Sequence, residues 1–174
     1  PAFTLTGTVA VNALGPTDPI AANNTAARTV TVTPIGLDLS VGKTKTPALV
    51  AEGATLTTTI NIASAAGGVQ AAAGTNTVTD VLDPAFETYA SSSGTNWICS
   101  ATTLPAASQT VTCTYNATLN GGSNAPALII TTTAVEAGTA TNSASVAYSG
   151  TPGDYNPANN GPVSRSTVTT AVSN

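Results

Sequence analysis

The chain has 174 residues and a formal charge of −4, with 41% hydrophobic, 7% charged and 4% aromatic residues. An ordinary soluble domain carries about 25% charged residues; the four basic side chains here, Arg28, Lys43, Lys45 and Arg165, are too few to hold a polyanion, which excludes nucleic acid and an anionic membrane surface as partners. No run approaches the ~18 apolar residues of a membrane-spanning helix, and a chain without a single His cannot assemble Ser-His-Asp or Cys-His catalysis.

Thr supplies roughly a fifth of the residues, a lean towards β-branched, strand-favouring chemistry. Alternation with period two runs through the chain, and helical periodicity is interrupted in every long window. In chain order, Thr4 to Val11 and Thr29 to Thr33 read as strands, with Asp18-Pro19 and Asn23-Asn24 marking the loop between them. Leu37, Leu39 and Val41 alternate with Asp38, Ser40 and Gly42 in a further strand. Pro47 and Gly53 bracket a turn, and Leu56, Ile60 and Ile62 stand out within a strand from Thr55 to Ala63. Ser64 to Gly74 reads as a loop, Thr75 to Leu82 as a strand that Asp83-Pro84 ends. Phe86 to Ala90 and Trp97 to Ala101 are short strands around a turn from Ser91 to Asn96. Gln109 to Tyr115, Ala127 to Val135, Asn142 to Tyr148 and Val163 to Val172 complete the set. Short strands separated by Gly/Pro/Asn turns, with no crossover helix available, predict an all-β antiparallel sandwich of about 7–9 strands.

An internal repeat sets the domain organisation. Asp18-Pro19-Ile20-Ala21-Ala22-Asn23-Asn24 returns as Asp154-Tyr155-Asn156-Pro157-Ala158-Asn159-Asn160, 136 residues later. Pro16 maps onto Pro152 and Thr31-Val32-Thr33 onto Thr167-Val168-Thr169 at the same offset. With a one-residue slip, Val9-Ala10-Val11 meets Val146-Ala147-Tyr148. A fixed period marks a modular array. The expected division is therefore a complete domain over 37–174, preceded over 1–36 by the terminal strands of another repeat, a connector or donor segment. Pro1 is expected to be a processed or trimmed start rather than a natural one.

Cys99 and Cys113 are the only cysteines, with thirteen residues between them, on neighbouring predicted strands. A metal site would need further soft ligands, and a redox pair favours C-x-x-C spacing. A structural disulfide is the favoured reading, and it implies an oxidising compartment.

Several segments together resemble a known family. These are Leu37 to Val41 with Lys43, Gly53 to Ile62, and Val78-Thr79-Asp80-Val81-Leu82-Asp83-Pro84-Ala85-Phe86. Trp97-Ile98-Cys99 with Val111-Thr112-Cys113, and Asn142 with Asp154 and Pro157-Ala158-Asn159-Asn160, follow in the same order. The chain resembles the bacterial "conserved repeat domain", a tandem Ig-like module of secreted and cell-surface proteins, over 37–174, with Gly7 to Thr33 similar to the end of a preceding copy. The resemblance implies an Ig-like, non-catalytic module at the bacterial surface or outside the cell, and names no ligand.

Candidate chemistry is sparse. Asp80 and Asp83 are close enough in sequence to suggest a glycosidase pair; the alternative has Asp83-Pro84 capping a strand and Asp80 facing solvent, and the chain is read as not an enzyme. No cofactor is implied, though Asp18 and Asp154, each beside an Asn-rich loop, are candidate Ca²⁺ ligands unless they build their own turns. Lys43 on the first strand, with Asn residues on later ones, permits an intramolecular Lys–Asn isopeptide bond of the sort found in some pilus domains, given an apposed buried carboxylate. Asn23 and Asn116 fit the glycosylation acceptor pattern.

Two or three alternating strands cannot bury an apolar face alone, and open edges invite pairing. The function expected is thus a structural subunit of an extracellular filament or surface-repeat array, assembled head to tail by β-strand complementation. Leu5, Val9, Val11, Val30 and Val32 are the expected assembly contacts, and the partners are other copies or neighbouring repeats. The alternative is an adhesin or carbohydrate-binding module with Tyr155 as its contact residue; Trp97 is expected to pack near the disulfide.

Overall fold

The structure is a computed structural model that describes residues 3–10, 15, 19–32 and 36–172. The chain divides into two compact units, Pro1–Pro34 and Ile35–Asn174, two residues from the boundary expected at 36/37.

The first unit contains a two-stranded antiparallel ribbon, β1 (Phe3–Ala10) and β2 (Thr25–Val32), with a short 3-10 turn at Ala21–Asn23 before β2. Its register runs without a break from Phe3↔Val32 to Ala10↔Thr25. Side chains alternate across a strand, so Leu5, Val9, Ala26 and Val30 share one face while Thr4, Thr6, Thr8 and Thr29 share the other.

The second unit is an all-β sandwich, as the alternation predicted. Its strands are β3 (Leu39–Thr46), β4 (Leu49–Ala51), β5 (Thr55–Ser64), β6 (Asn76–Leu82) and β7 (Glu87–Ser93), followed by β8 (Trp97–Ala101), β9 (Gln109–Tyr115), β10 (Leu128–Ala134), β11 (Gly138–Tyr148) and β12 (Val163–Thr170). Among the described residues they form a four-stranded sheet in the order β3-β5-β10-β7 and a six-stranded sheet in the order β4-β12-β11-β6-β9-β8. A 3-10 turn at Pro157–Asn159 precedes β12. It lies 136 residues after the turn at Ala21–Asn23, so the sequence repeat is also a repeat of structure.

Two expected turns are partly strand. The segment between Pro47 and Gly53 contains β4, which pairs in parallel with β12 through Leu49↔Val168 to Ala51↔Thr170. Pro47 lacks a ladder donor, and the chain crosses there from the four-stranded to the six-stranded sheet, burying Val50 against Leu56 and Ala134. The turn expected over Ser91 to Asn96 shrinks to Gly94–Asn96, because β7 continues to Ser93 opposite Ile129. Asn96 adopts a left-handed φ of 64°, a conformation Asn tolerates better than most residues.

The inner faces of the two sheets make the core. Leu39, Val41, Ile60, Ile62, Leu128 and Ile130 from one sheet meet Val78, Leu82, Val111, Tyr115, Ala144 and Val146 from the other. Val50, Leu56 and Ala134 form a second, smaller cluster. Along β5 the inward residues run Leu56, Thr58, Ile60, and along β10 they run Ile130, Thr132, Ala134. A polar rung thus separates the two apolar clusters, and it holds the buried charges.

Candidate functional site

The ribbon carries the expected assembly contacts. Leu5, Val9 and Val30 are 61%, 68% and 60% exposed, large apolar side chains on one face of the ribbon. Val32 pairs in register with Phe3, while Val11 lies outside the described residues. The second unit contains the counterpart hairpin, β11–β12, joined through the equivalent 3-10 turn. There β11 pairs with β6 on its outer edge, β12 pairs with β4 on its own, and Ala140, Ala144 and Val146 are buried. The ribbon displays the same element without either flanking strand among the described residues.

Asp154 ties the loop before β12 to the first strand of the sandwich. Its Oδ2 accepts from the Leu39 amide (2.9 Å) and from Asn160 Nδ2 (3.0 Å), and its Oδ1 accepts from the Asn156 amide (2.9 Å). Both carboxylate oxygens of this candidate Ca²⁺ ligand are therefore turned towards N–H donors, the arrangement of a loop latch. Among the described residues no group of three acidic, His or Cys side chains is placed to hold a metal, and Asp18 lies outside them. Asp154→Ala leaves those donors without their charged acceptor. The expected loss is about 2–3 kcal/mol of folding stability, measured by urea denaturation, with an unchanged melting curve for the native chain on adding a chelator.

Beside this latch, Asp38 accepts from Asn159 Nδ2 at 2.8 Å and from the Tyr155 hydroxyl, whose hydrogen bond to Asp38 raises the phenol above its ordinary range. The Tyr155 ring lies against Gly36, where a Cβ would approach it to 3.1 Å. Tyr155 remains 41% exposed, with its polar end committed to this loop. Asn23 and Asn116 are exposed, on the first 3-10 turn and just after β9.

Cys99 and Cys113 are register partners on β8 and β9 and form the expected disulfide. One step along, Trp97 faces Tyr115 with ring centroids 5.1 Å apart and donates its indole N–H to the Pro126 carbonyl at 2.7 Å. Trp97 thus packs beside the disulfide, as expected.

The largest departure from expectation is Asp80. The inward phase of β6 runs Asn76, Val78, Asp80, Leu82, and Asp80 is fully buried rather than facing solvent. Asp83 is exposed beyond the strand end, where its Oδ1 accepts from the Ala85 amide at 3.0 Å. The Asp80 carboxyl is thus enclosed between the sheets, while that of Asp83 is open to solvent past the end of β6. Opposite Asp80, the inward phase of β3 continues past Leu39 and Val41 to Lys43 and Lys45, both buried.

Two buried constellations result. The Lys43 ammonium bonds to Asp80 Oδ1, and Asp80 Oδ2 accepts from Asn142 Nδ2 on β11 at 3.1 Å. Lys45 Nζ bonds to Glu87 Oε1 at 2.7 Å, and Glu87 Oε2 accepts from Thr132 Oγ1 at 2.8 Å. Burial pushes the Lys43 amine below the usual lysine range, opposed by the nearby Asp80 carboxylate. It pushes the Asp80 carboxyl above the usual range, opposed by Lys43. Desolvation prevails at both, so the charged form of each group is disfavoured relative to its ordinary range. Lys45, Glu87 and Thr132 escaped sequence reasoning. The available signal was the unbroken alternation Leu39, Val41, Lys43, Lys45, which demanded two buried acids.

No family model and no curated protein matches the chain. Among solved structures it is similar to a cohesin module from a Clostridium perfringens family 33 glycoside hydrolase, at 4% identity with a TM-score of 0.52, over 80% of this chain and 100% of that one. It is also similar to a chain in the crystal structure of a CaDoc0917–CaCohA2 complex, at 15% identity with a TM-score of 0.43, over 77% and 99% of the two chains. The first likeness, at so low an identity, concerns the β-sandwich fold.

Proposed function

We propose that the chain is a non-catalytic structural element of an extracellular filament or cell-surface repeat array, in which the β1–β2 ribbon is completed by strands of another module. The module is read as one of the bacterial conserved-repeat type on the motifs quoted above. The observation that carries the assembly reading is the unfinished ribbon. Its counterpart β11–β12 is flanked by β6 and β4 and buried on its inner face, whereas Leu5, Val9 and Val30 are bare. A two-stranded ribbon is at best marginally stable in water by itself. Among the described residues the edge strands of the sandwich are β3 and β7 in one sheet and β4 and β8 in the other; such an edge on a further copy would supply hydrogen bonds to the open ribbon, which is β-strand addition. The contact is heterologous, because the ribbon of one copy meets the sandwich strands of the next, so repetition builds an open chain. The disulfide supports an oxidising, extracytoplasmic setting.

Val9→Asp with Val30→Asp places two charges on the face to be covered. The double variant is expected to remain monomeric by analytical ultracentrifugation and electron microscopy. Its sandwich should melt as in the native chain, and native material should form oligomers with a regular axial repeat. Native chains that stay monomeric at every concentration, with folded ribbons, would refute strand addition between copies.

A further inference from the structure

The Lys43–Asp80–Asn142 constellation brings an amine, a carboxyl and a carboxamide together inside the sandwich. Lys43 is 3%, Asp80 0% and Asn142 1% exposed, and both the amine and the carboxamide are held by the same carboxyl group. Asn142 Oδ1 is buried without a hydrogen-bond partner, an expensive state for a carbonyl oxygen. A half-turn of the carboxamide exchanges its N and O and lays Oδ1 against Asp80 Oδ2. A protonated Asp80 then donates to Oδ1 and polarises the carbonyl, while its other oxygen faces the Lys43 amine.

We propose that Lys43 and Asn142 join spontaneously in the folded chain, forming an amide bond between Lys43 Nζ and Asn142 Cγ with release of ammonia and with Asp80 as the proton relay. The amine attacks Cγ with its lone pair, and the carbonyl electrons move to Oδ1, which takes the Asp80 proton. Collapse of the tetrahedral species restores the carbonyl and breaks the Cγ–Nδ2 bond. The leaving nitrogen departs with its own two hydrogens and one from Lys43, shuttled through the Asp80 carboxyl, which ends as it began. No oxidant, reductant or further reactant enters. The desolvation that lowers Lys43 and raises Asp80 moves both groups towards the protonation states the attack requires.

The rest of the rung supplies a contrast. Lys45 and Glu87 are buried alike, but Glu87's other oxygen accepts from Thr132, which offers no carboxamide to attack. Gln109 has both carboxamide atoms engaged, by the Tyr89 amide and the Thr102 carbonyl. Asn76 is buried with a free carboxamide, but lies four residues before Asp80 on the same strand, roughly 13 Å along it. The bond would staple β3 of the four-stranded sheet to β11 of the other. Tension entering at β3 would reach β11 through the staple, leaving residues 44–141 unloaded, which suits a filament without depending on how the ribbon assembles.

Intact-mass spectrometry of the native chain, with the disulfide reduced, is expected to show a deficit of about 17 Da, one lost ammonia. Trypsin should yield a branched species joining 29–45 to 46–165, with Lys43 uncleaved. Asn142→Ala, Lys43→Met and Asp80→Asn should each restore the full mass, and Lys45→Met should retain the deficit. A full mass for folded native chain overturns the proposal, and that measurement stands even where a variant fails to fold. A deficit that maps to a linear peptide at Asn120-Gly121 or Asn160-Gly161, the mark of a succinimide, overturns it equally.

Discussion

Lys45→Ala, or Glu87→Ala, is expected to destabilise the sandwich by about 3–5 kcal/mol, because each leaves an unpaired charge in the rung between the apolar clusters. Glu87 is fully buried and has both oxygens satisfied, by Lys45 and Thr132, so removing Lys45 strands a carboxylate among Thr132 and the strands β10 and β7. Removing Glu87 strands an ammonium and a hydroxyl together. The informative control is the combination Lys45→Met with Glu87→Leu and Thr132→Val, which replaces every polar partner by an apolar group of similar volume. Replacing a buried ion pair in this way is commonly neutral or stabilising. The triple variant should therefore recover most or all of the loss in chemical denaturation. If it is as unstable as the single variants, the pair contributes through a specific geometry that apolar packing cannot replace.

Cys99→Ser with Cys113→Ser is expected to lower stability by about 3 kcal/mol, the chain-entropy value for opening a ring of ~15 residues. The damage should begin at the edge, since among the described residues β8 has a neighbour only on its β9 side. Trp97 lies on β8 against Tyr115 and reports it directly. Its emission should shift to the red and its Pro126 hydrogen bond should be lost at denaturant concentrations where the core is still folded. The double variant, read by tryptophan fluorescence alongside far-ultraviolet circular dichroism, tests this. Coincident transitions at the native midpoint would show that the disulfide adds nothing to the edge.

Local alternation carried most of the fold. Strands such as Trp97–Ala101 and Gln109–Tyr115 were legible to the residue, because their side chains alternate between a more buried and a more open face and flanking turn residues end them. The sequence repeat covers two equivalent 3-10 turns, the first of which reads from the sequence only as a loop. The hidden strand β4 was not legible. Three residues between Pro47 and Gly53 read as a turn, and only the presence of β12 alongside makes them strand. Asp80 misled for a related reason. A carboxylate in an alternating strand is ordinarily solvent-facing, and its inward phase becomes sensible only with a lysine opposite.

The sequence by itself determined that this chain is all-β, that it carries an internal repeat at an offset of 136 residues, and that its two cysteines pair. Each of these follows from composition or from relations along the chain. Which polar residues meet was decided by tertiary structure alone. Asp80 stands 37 positions from Lys43 and 62 from Asn142, on three strands brought together by sheet order and by the packing of one sheet on the other. Burial then does what no local pattern records: it strips water from an amine and a carboxyl, and sets the carboxyl between that amine and a carboxamide whose oxygen has no partner among the described residues.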